Sequence, residues 1–120
     1  MSRVILFVDD IDKMTEFYRT TFEFGVLGSA TADFVSLDAG GCQLSLHQLP
    51  SQYINPSRSY KAREDSWVKF VFYADDVEKD RAELVEKGVR MRKIHRFGGI
   101  EICDGCDPEG NIFQISSRIS

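Results

Sequence analysis

The chain is short of cysteine, and Cys42, Cys103 and Cys106 are the only three in 120 residues. An odd, sparse set of this kind argues against the disulfide framework of a small secreted domain. Long hydrophobic runs are missing as well. The richest stretches, Val4 to Val8 and Val68 to Ala74, fall far below the roughly 20 residues that cross a bilayer as a helix, so no membrane span is expected. The start, Met-Ser-Arg-Val-Ile-Leu-Phe, passes directly into a strand-like pattern and then acidic residues, without the apolar stretch and small-residue cleavage site of a secretory leader. The cytoplasm is the expected compartment. Charge of one sign is also scarce: the net charge is -4 and the fifteen Lys and Arg are scattered, so a nucleic-acid partner is not expected.

What is present is enough for one hydrophobic core. At 120 residues and 42% apolar content, the chain is too short for two ordinary independent domains. It nevertheless carries an internal repeat. Phe7-Val8-Asp9-Asp10-Ile11-Asp12-Lys13 returns as Tyr73-Ala74-Asp75-Asp76-Val77-Glu78-Lys79, with like chemistry at nearly every position.

Each copy opens with a strand-type run, Arg3 to Val8 and Trp67 to Tyr73, rich in β-branched and aromatic residues. Each then turns into a helix. Asp10 and Asp76 are placed to cap its N-terminus, and Asp12 and Glu78 put negative charge in the first turn, where the helix dipole favours it. Ile11, Met14, Phe17, Tyr18 and Phe22 fall at spacings of three and four and form one apolar stripe. In the second helix Val77, Leu84 and Val85 are expected on the buried side, with Gly88 supplying a left-handed C-terminal turn.

After each helix the hydrophobic period moves towards two, and three strands are expected in each half. They are 24–29, 33–38 and 42–48 in the first, and 89–96, 100–106 and 111–117 in the second. Gly40-Gly41, Gly98-Gly99 and Asp107-Pro108-Glu109-Gly110 separate them, the last with residues suited to a type I turn. The expected organisation is therefore one domain, with a first βαβββ repeat at 1–49, a second at 66–120, and between them a polar linker or lid at 50–65.

The repeat, the phrase Val8-Asp9-Asp10-Ile11-Asp12 followed by Phe17-Tyr18-Arg19, and the closing Asp107-Pro108-Glu109-Gly110-Asn111 together resemble the vicinal oxygen chelate superfamily. Glyoxalases, extradiol dioxygenases, epimerases and the fosfomycin and bleomycin resistance proteins belong to it. The resemblance covers essentially the whole chain and implies an α+β fold: two βαβββ repeats forming a curved mixed sheet around a concave cavity, with the helices on the outer face. It specifies a fold far better than an activity, because one scaffold hosts many chemistries. One departure is visible. Where members carry Leu-Gly-Phe after the first helix this chain has Phe22-Glu23-Phe24, so the helix end is expected to shift towards Gly25.

In metal-using relatives four ligands, mostly His and Glu, come from the first and last strand of each half. Counting through the repeat, the resemblance puts Arg3, Ser45, Lys69 and Gln114 at those places. Two cations repel a divalent ion, and Ser and Gln offer neither the charge nor the softness to hold one. No metal and no cofactor are expected. Period-two alternation gives the same register independently. With Leu44, Leu46, Phe70, Phe72, Phe113 and Ile115 against the helices, Gln43, Ser45, His47, Lys69, Gln114 and Ser116 share the other face. Phe7, Val71, Tyr73 and Ile112 lie on that face as apolar walls, a lining suited to an anionic or aromatic small molecule.

The expected ligand-binding residues are thus Arg3, Ser45, His47, Lys69, Tyr73 and Gln114, and no catalytic residue is assigned. Against this stands the plainer reading that Arg3 and Lys69 reach solvent or pair with Asp38 or Glu101. His47 suits a ligand hydrogen bond better than a general base, and His95 reads as superficial. Cys103-Asp104-Gly105-Cys106 has redox spacing but sits on a strand rather than a helix start, so packed thiols are expected, as for Cys42.

Two functions stay open. One is metal-independent binding of a small anionic or aromatic molecule, in the manner of bleomycin-resistance proteins, whose resemblance also implies a homodimer. The other is a metal-dependent glyoxalase-type lyase, isomerase or dioxygenase with a different register, using His47 and Glu101.

Overall fold

The computed structural model describes residues 1–119 and divides into two units, Met1–Ser59 and Tyr60 onward. The first contains β1 (Arg3–Val8), α1 (Ile11–Thr21), β2 (Gly25–Leu27), β3 (Phe34–Asp38) and β4 (Gln43–Gln48), followed by one 3₁₀ turn at Ser51–Tyr53. The second contains β5 (Phe70–Tyr73), α2 (Val77–Glu86), β6 (Arg90–Phe97), β7 (Ile100–Cys106) and β8 (Ile112–Ser116). Each is a βαβββ unit, and the fold class is α+β.

In both units the first strand pairs with the last. The sheet orders are β1-β4-β3-β2 and β5-β8-β7-β6. The β1–β4 and β5–β8 pairs are parallel and all others antiparallel, so each sheet is mixed. The parallel pair needs a crossover, and in each unit the helix supplies it.

The helices start where their caps put them. Asp10 Oδ1 accepts from the Lys13 N–H at 3.1 Å, and Asp76 Oδ1 from the Lys79 N–H at 3.0 Å, which satisfies donors that a helix N-terminus leaves open. The buried stripe of α1 is Ile11, Met14, Tyr18 and Thr21, packed on β3 and β4. It meets Val8, Val35, Leu37, Leu44 and Leu46, all buried. In the second unit α2 lies against β6, β7 and β8, over a core that includes Ala74, Val77, Leu84, Val89, Cys103, Phe113 and Ile115.

Three sequence expectations change. Val85 is exposed rather than buried, because only Val77 and Leu84 of α2 face the sheet. β5 starts at Phe70 rather than Trp67. Phe70 pairs with Phe113, and its partner strand begins just before that, at Ile112, leaving Trp67 99% exposed. The end of α1 does not move towards Gly25. The Phe22 N–H closes the helix on the Tyr18 carbonyl at 3.2 Å, and Glu23 takes a left-handed φ of 61°. The aromatic rings explain it: Phe22 and Phe24 both stack on Tyr18, with centroids 5.9 and 6.4 Å away, so the residue between them must reverse the chain. Gly88, by contrast, holds φ 87° after α2 as its sequence position suggests.

Residues 50–65 are bonded into the unit each belongs to. Arg58 reaches both carboxylate oxygens of Asp9, at 2.9 and 3.0 Å. In the second unit the Arg63 N–H donates to the Gly110 carbonyl at 2.8 Å, and Arg90 Nη1 to the Tyr60 carbonyl at 3.1 Å. Gly110, at φ 85°, sits so close to this segment that a Cβ there would run into the Lys61 carbonyl oxygen. No helix among the described residues is long and apolar enough to cross a membrane.

The junction of β1, β4 and α1 is held by one side chain. Gln48 Oε1 accepts from the Ile11 N–H at 2.9 Å, while its Nε2 donates to the Asp9 carbonyl at 2.6 Å and the Leu49 carbonyl at 3.2 Å. Gln48→Ala removes these part-buried hydrogen bonds together and is expected to lower unfolding free energy by about 2–3 kcal/mol, measured by urea denaturation. Glu23→Gly removes the left-handed penalty of a residue with Cβ and is expected to raise stability by about 0.5–1 kcal/mol after glycine's own entropic cost. A fall in the denaturation midpoint would contradict the assignment of strain to Glu23.

Candidate functional site

Strand alternation sends the apolar side chains to the helix and leaves a second face in each unit. In the first unit that face can be read across the register. Arg3 pairs with Gln43, Ile5 with Ser45 and Phe7 with His47. Phe34 pairs with His47, Ser36 with Ser45 and Asp38 with Gln43. Ile5 and Phe7 are 43% and 56% exposed, which is high for apolar strand residues.

His47 lies between two rings, with Phe7 at 5.3 Å and Phe34 at 5.6 Å between centroids. The Arg3 guanidinium stands 5.9 Å from the Phe34 ring, and among the described residues no carboxylate is in ion-pair reach of it. The first unit therefore brings Arg3, Phe34, His47 and Phe7 into one cationic and aromatic patch. Ser45 differs. It is fully buried, and its hydroxyl is 2.8 Å from that of Ser36, so this hydroxyl is engaged within the sheet.

In the second unit Lys69 Nζ is 2.9 Å from Asp104 Oδ2, and Gln114 Nε2 donates to Asp104 Oδ1 at 3.0 Å. Lys69 thus pairs with Asp104, and neither Asp38 nor Glu101 is its partner. Glu101 is bound by Arg96 Nε at 3.0 Å. Tyr73, 56% exposed, lies under the Arg118 guanidinium at 4.7 Å. It is one register step from the Lys69 group, since Tyr73 pairs with Ser116 and Val71 with Gln114. Ile112 is buried and contributes little open surface.

Sequence reasoning passed over Asp104, Phe34 and Ser36. Asp104 faces Gln114, and a signal for it existed. The Asp107–Gly110 turn closes with the Asp107 N–H on the Asn111 carbonyl at 3.0 Å, and counting back from that pair puts 104 opposite 114.

The residues at these positions do not suit a metal ion in either unit. Arg3 and Lys69 are cations, Ser45 is committed to Ser36, and the Gln114 amide nitrogen is committed to Asp104. Among the described residues no three His, Cys, Asp or Glu side chains gather within reach of one ion. Hard and borderline divalent ions take carboxylate, imidazole or thiolate ligands, and these positions do not fit them.

The thiols of Cys103 and Cys106 lie on opposite faces of β7, one opposite Ile115 and the other opposite Ile112. Alternation therefore keeps them from forming a disulfide. Both are buried, and burial is the main cause that pushes both thiols above the usual range.

Residues 1–115 match the family model described as Glyoxalase/Bleomycin resistance protein/Dioxygenase superfamily. The chain belongs to this superfamily. Among solved structures it is similar to SMU.1112c, at 25% identity and a TM-score of 0.78, covering 98% of this chain and 97% of the other. It is also similar to a lactoylglutathione lyase from Agrobacterium tumefaciens, at 23% identity and TM-score 0.75, covering 98% and 92%. A third is TnmS3, an antibiotic binding protein from Streptomyces sp. CB03234, at 19% identity and TM-score 0.74, covering 99% and 95%. The latter two establish the shared fold, which serves a lyase in one and a binding protein in the other. No curated protein matches the chain by sequence.

Because a thiolate is the reactive form and burial holds Cys103 and Cys106 as thiols, only the half-buried Cys42 is expected to react within minutes with Ellman's reagent at neutral pH. Two further equivalents should appear only on denaturation. Rapid release of three equivalents from the native protein would contradict the burial of β7.

Proposed function

We propose that this superfamily member binds a small anionic or aromatic molecule without the help of a metal ion. The observation that carries the proposal is the patch of Arg3, Phe34, His47 and Phe7 on the helix-averted face of the first sheet. A guanidinium with no carboxylate partner among the described residues offers a fork of N–H donors to a carboxylate or phosphate. The exposed Phe7 ring and the half-buried Phe34 ring beside it offer a surface on which a planar group stacks. The ligand's acid group goes to Arg3, its ring lies against Phe7 and Phe34, and His47 supplies a hydrogen bond. Lys69, Tyr73 and Gln114 belong to the proposal as ligand-contacting residues on the corresponding face of the second unit's own sheet, and Ser45 supports the first sheet beside Ile5. This reading agrees with the donor set, which fits organic groups and not a divalent ion. It parallels TnmS3, described as an antibiotic binding protein. Binding as a homodimer in the cytoplasm belongs to the same proposal.

Calorimetric titration with benzoate and 2-naphthoate tests it. Binding is expected for both, tighter for the larger ring, and Arg3→Ala should weaken it by about tenfold, the scale of one charge-assisted hydrogen bond. Binding untouched by Arg3→Ala would remove this residue from the site. Stoichiometric zinc, nickel, iron or manganese in protein purified without added metal, released by His47→Ala, would replace the proposal with a metal-dependent lyase, isomerase or dioxygenase.

A further inference from the structure

The polar cluster on the second unit has a feature that its two basic and amide residues do not suggest alone. Asp104 uses both carboxylate oxygens on different neighbours, Oδ2 on Lys69 at 2.9 Å and Oδ1 on Gln114 at 3.0 Å. A carboxylate only accepts hydrogen bonds. The Gln114 amide is therefore oriented with its nitrogen towards Asp104, which turns Oε1, its acceptor, away. Lys69 has three N–H donors and spends one on Asp104, and its side chain remains 42% exposed against 20% for Asp104. The cluster thus presents spare ammonium donors and one amide acceptor side by side, at a net charge of zero. Val71, the register partner of Gln114, is 52% exposed and supplies an apolar flank.

We infer that Asp104 is a specificity-determining positioning residue, which makes the Lys69–Gln114 patch take a neutral carboxamide or lactam group in preference to a carboxylate. The complementarity is direct. A carboxamide carbonyl accepts from Lys69 while its N–H donates to Gln114 Oε1. A carboxylate satisfies Lys69 but turns its second oxygen towards another acceptor, close to the Asp104 charge, where like polarity is repulsive. This inference rests on the ligand-binding reading above and concerns the second unit's own patch, whose chemistry differs from that around Arg3.

The test is a ¹H–¹⁵N NMR titration with benzamide and with benzoate, following the Gln114 side-chain NH₂ pair, assigned by its loss in Gln114→Ala. In the wild-type protein benzamide is expected to shift that pair with at least about fivefold higher affinity than benzoate, and Asp104→Asn should invert the order, because the Lys69 charge is then uncompensated. Adding Lys69→Met to Asp104→Asn should abolish benzoate's gain. A merely structural role for Asp104 predicts equal loss for both probes, with their ratio unchanged. If Asp104→Asn does not fold, Lys69→Met alone should widen the preference for benzamide, and a narrowed ratio would overturn the inference. It is overturned equally if benzoate is preferred at Gln114 in the wild type, or if neither probe moves the Gln114 signals. Shifts at Arg3, Phe34 and His47 with Gln114 unmoved would sink this inference and leave the proposed function standing. Absence of any shift with either probe would sink both.

Discussion

The parallel pairing of the first strand of each repeat with its last is the constraint on which the rest of the molecule depends. It brings β1 beside β4 and β5 beside β8 and obliges the intervening helix to cover one face of the sheet. Once that face is closed by Val8, Leu44, Leu46 and Leu37 under α1, alternation commits Arg3, Ile5, Phe7 and His47 to the other. Slipping β1 by one residue would exchange its core and outer faces, at the cost of burying Arg3 and exposing Val8. The position of the candidate site is therefore a by-product of core formation.

Within that frame the two units have diverged in chemistry while keeping geometry. The first carries a guanidinium with aromatic neighbours; the second carries an ammonium compensated by a carboxylate that also holds an amide. Both replace the His and Glu that the superfamily resemblance leads one to expect in metal-using relatives. The polar groups are engaged with one another in ways that leave defined donors and acceptors facing outward, and the proposed binding of organic groups rests on this feature.

The helix termini show how far local signals carry. Asp10 and Asp76 cap as their place in the repeat suggests, since capping involves only neighbours three residues apart. The end of α1 was not legible in the same way. Its geometry follows from three aromatic rings stacking together, and this packing outweighs the local strain at Glu23. Val85 was misplaced for a related reason: a helix has room for only a narrow buried stripe, and which residues fill it is decided by the sheet it lies on.

By itself the sequence determined the βαβββ order, the capped helix starts, the alternation of the first and last strands of each repeat and the family, because these rest on short-range periodicity and on a repeat visible along the chain. Hairpin partners were legible too, since Gly40-Gly41 and the Asp107–Gly110 turn set the offsets that place Ser36 opposite Ser45 and Asp104 opposite Gln114. Only the tertiary structure decided that Lys69 finds Asp104, that Ser45 is closed off by Ser36, and that Arg3 stands over Phe34. A strand's parity says which face a side chain takes. Which groups then meet depends on strand order, sheet twist and rotamer, and these emerge when distant segments pack.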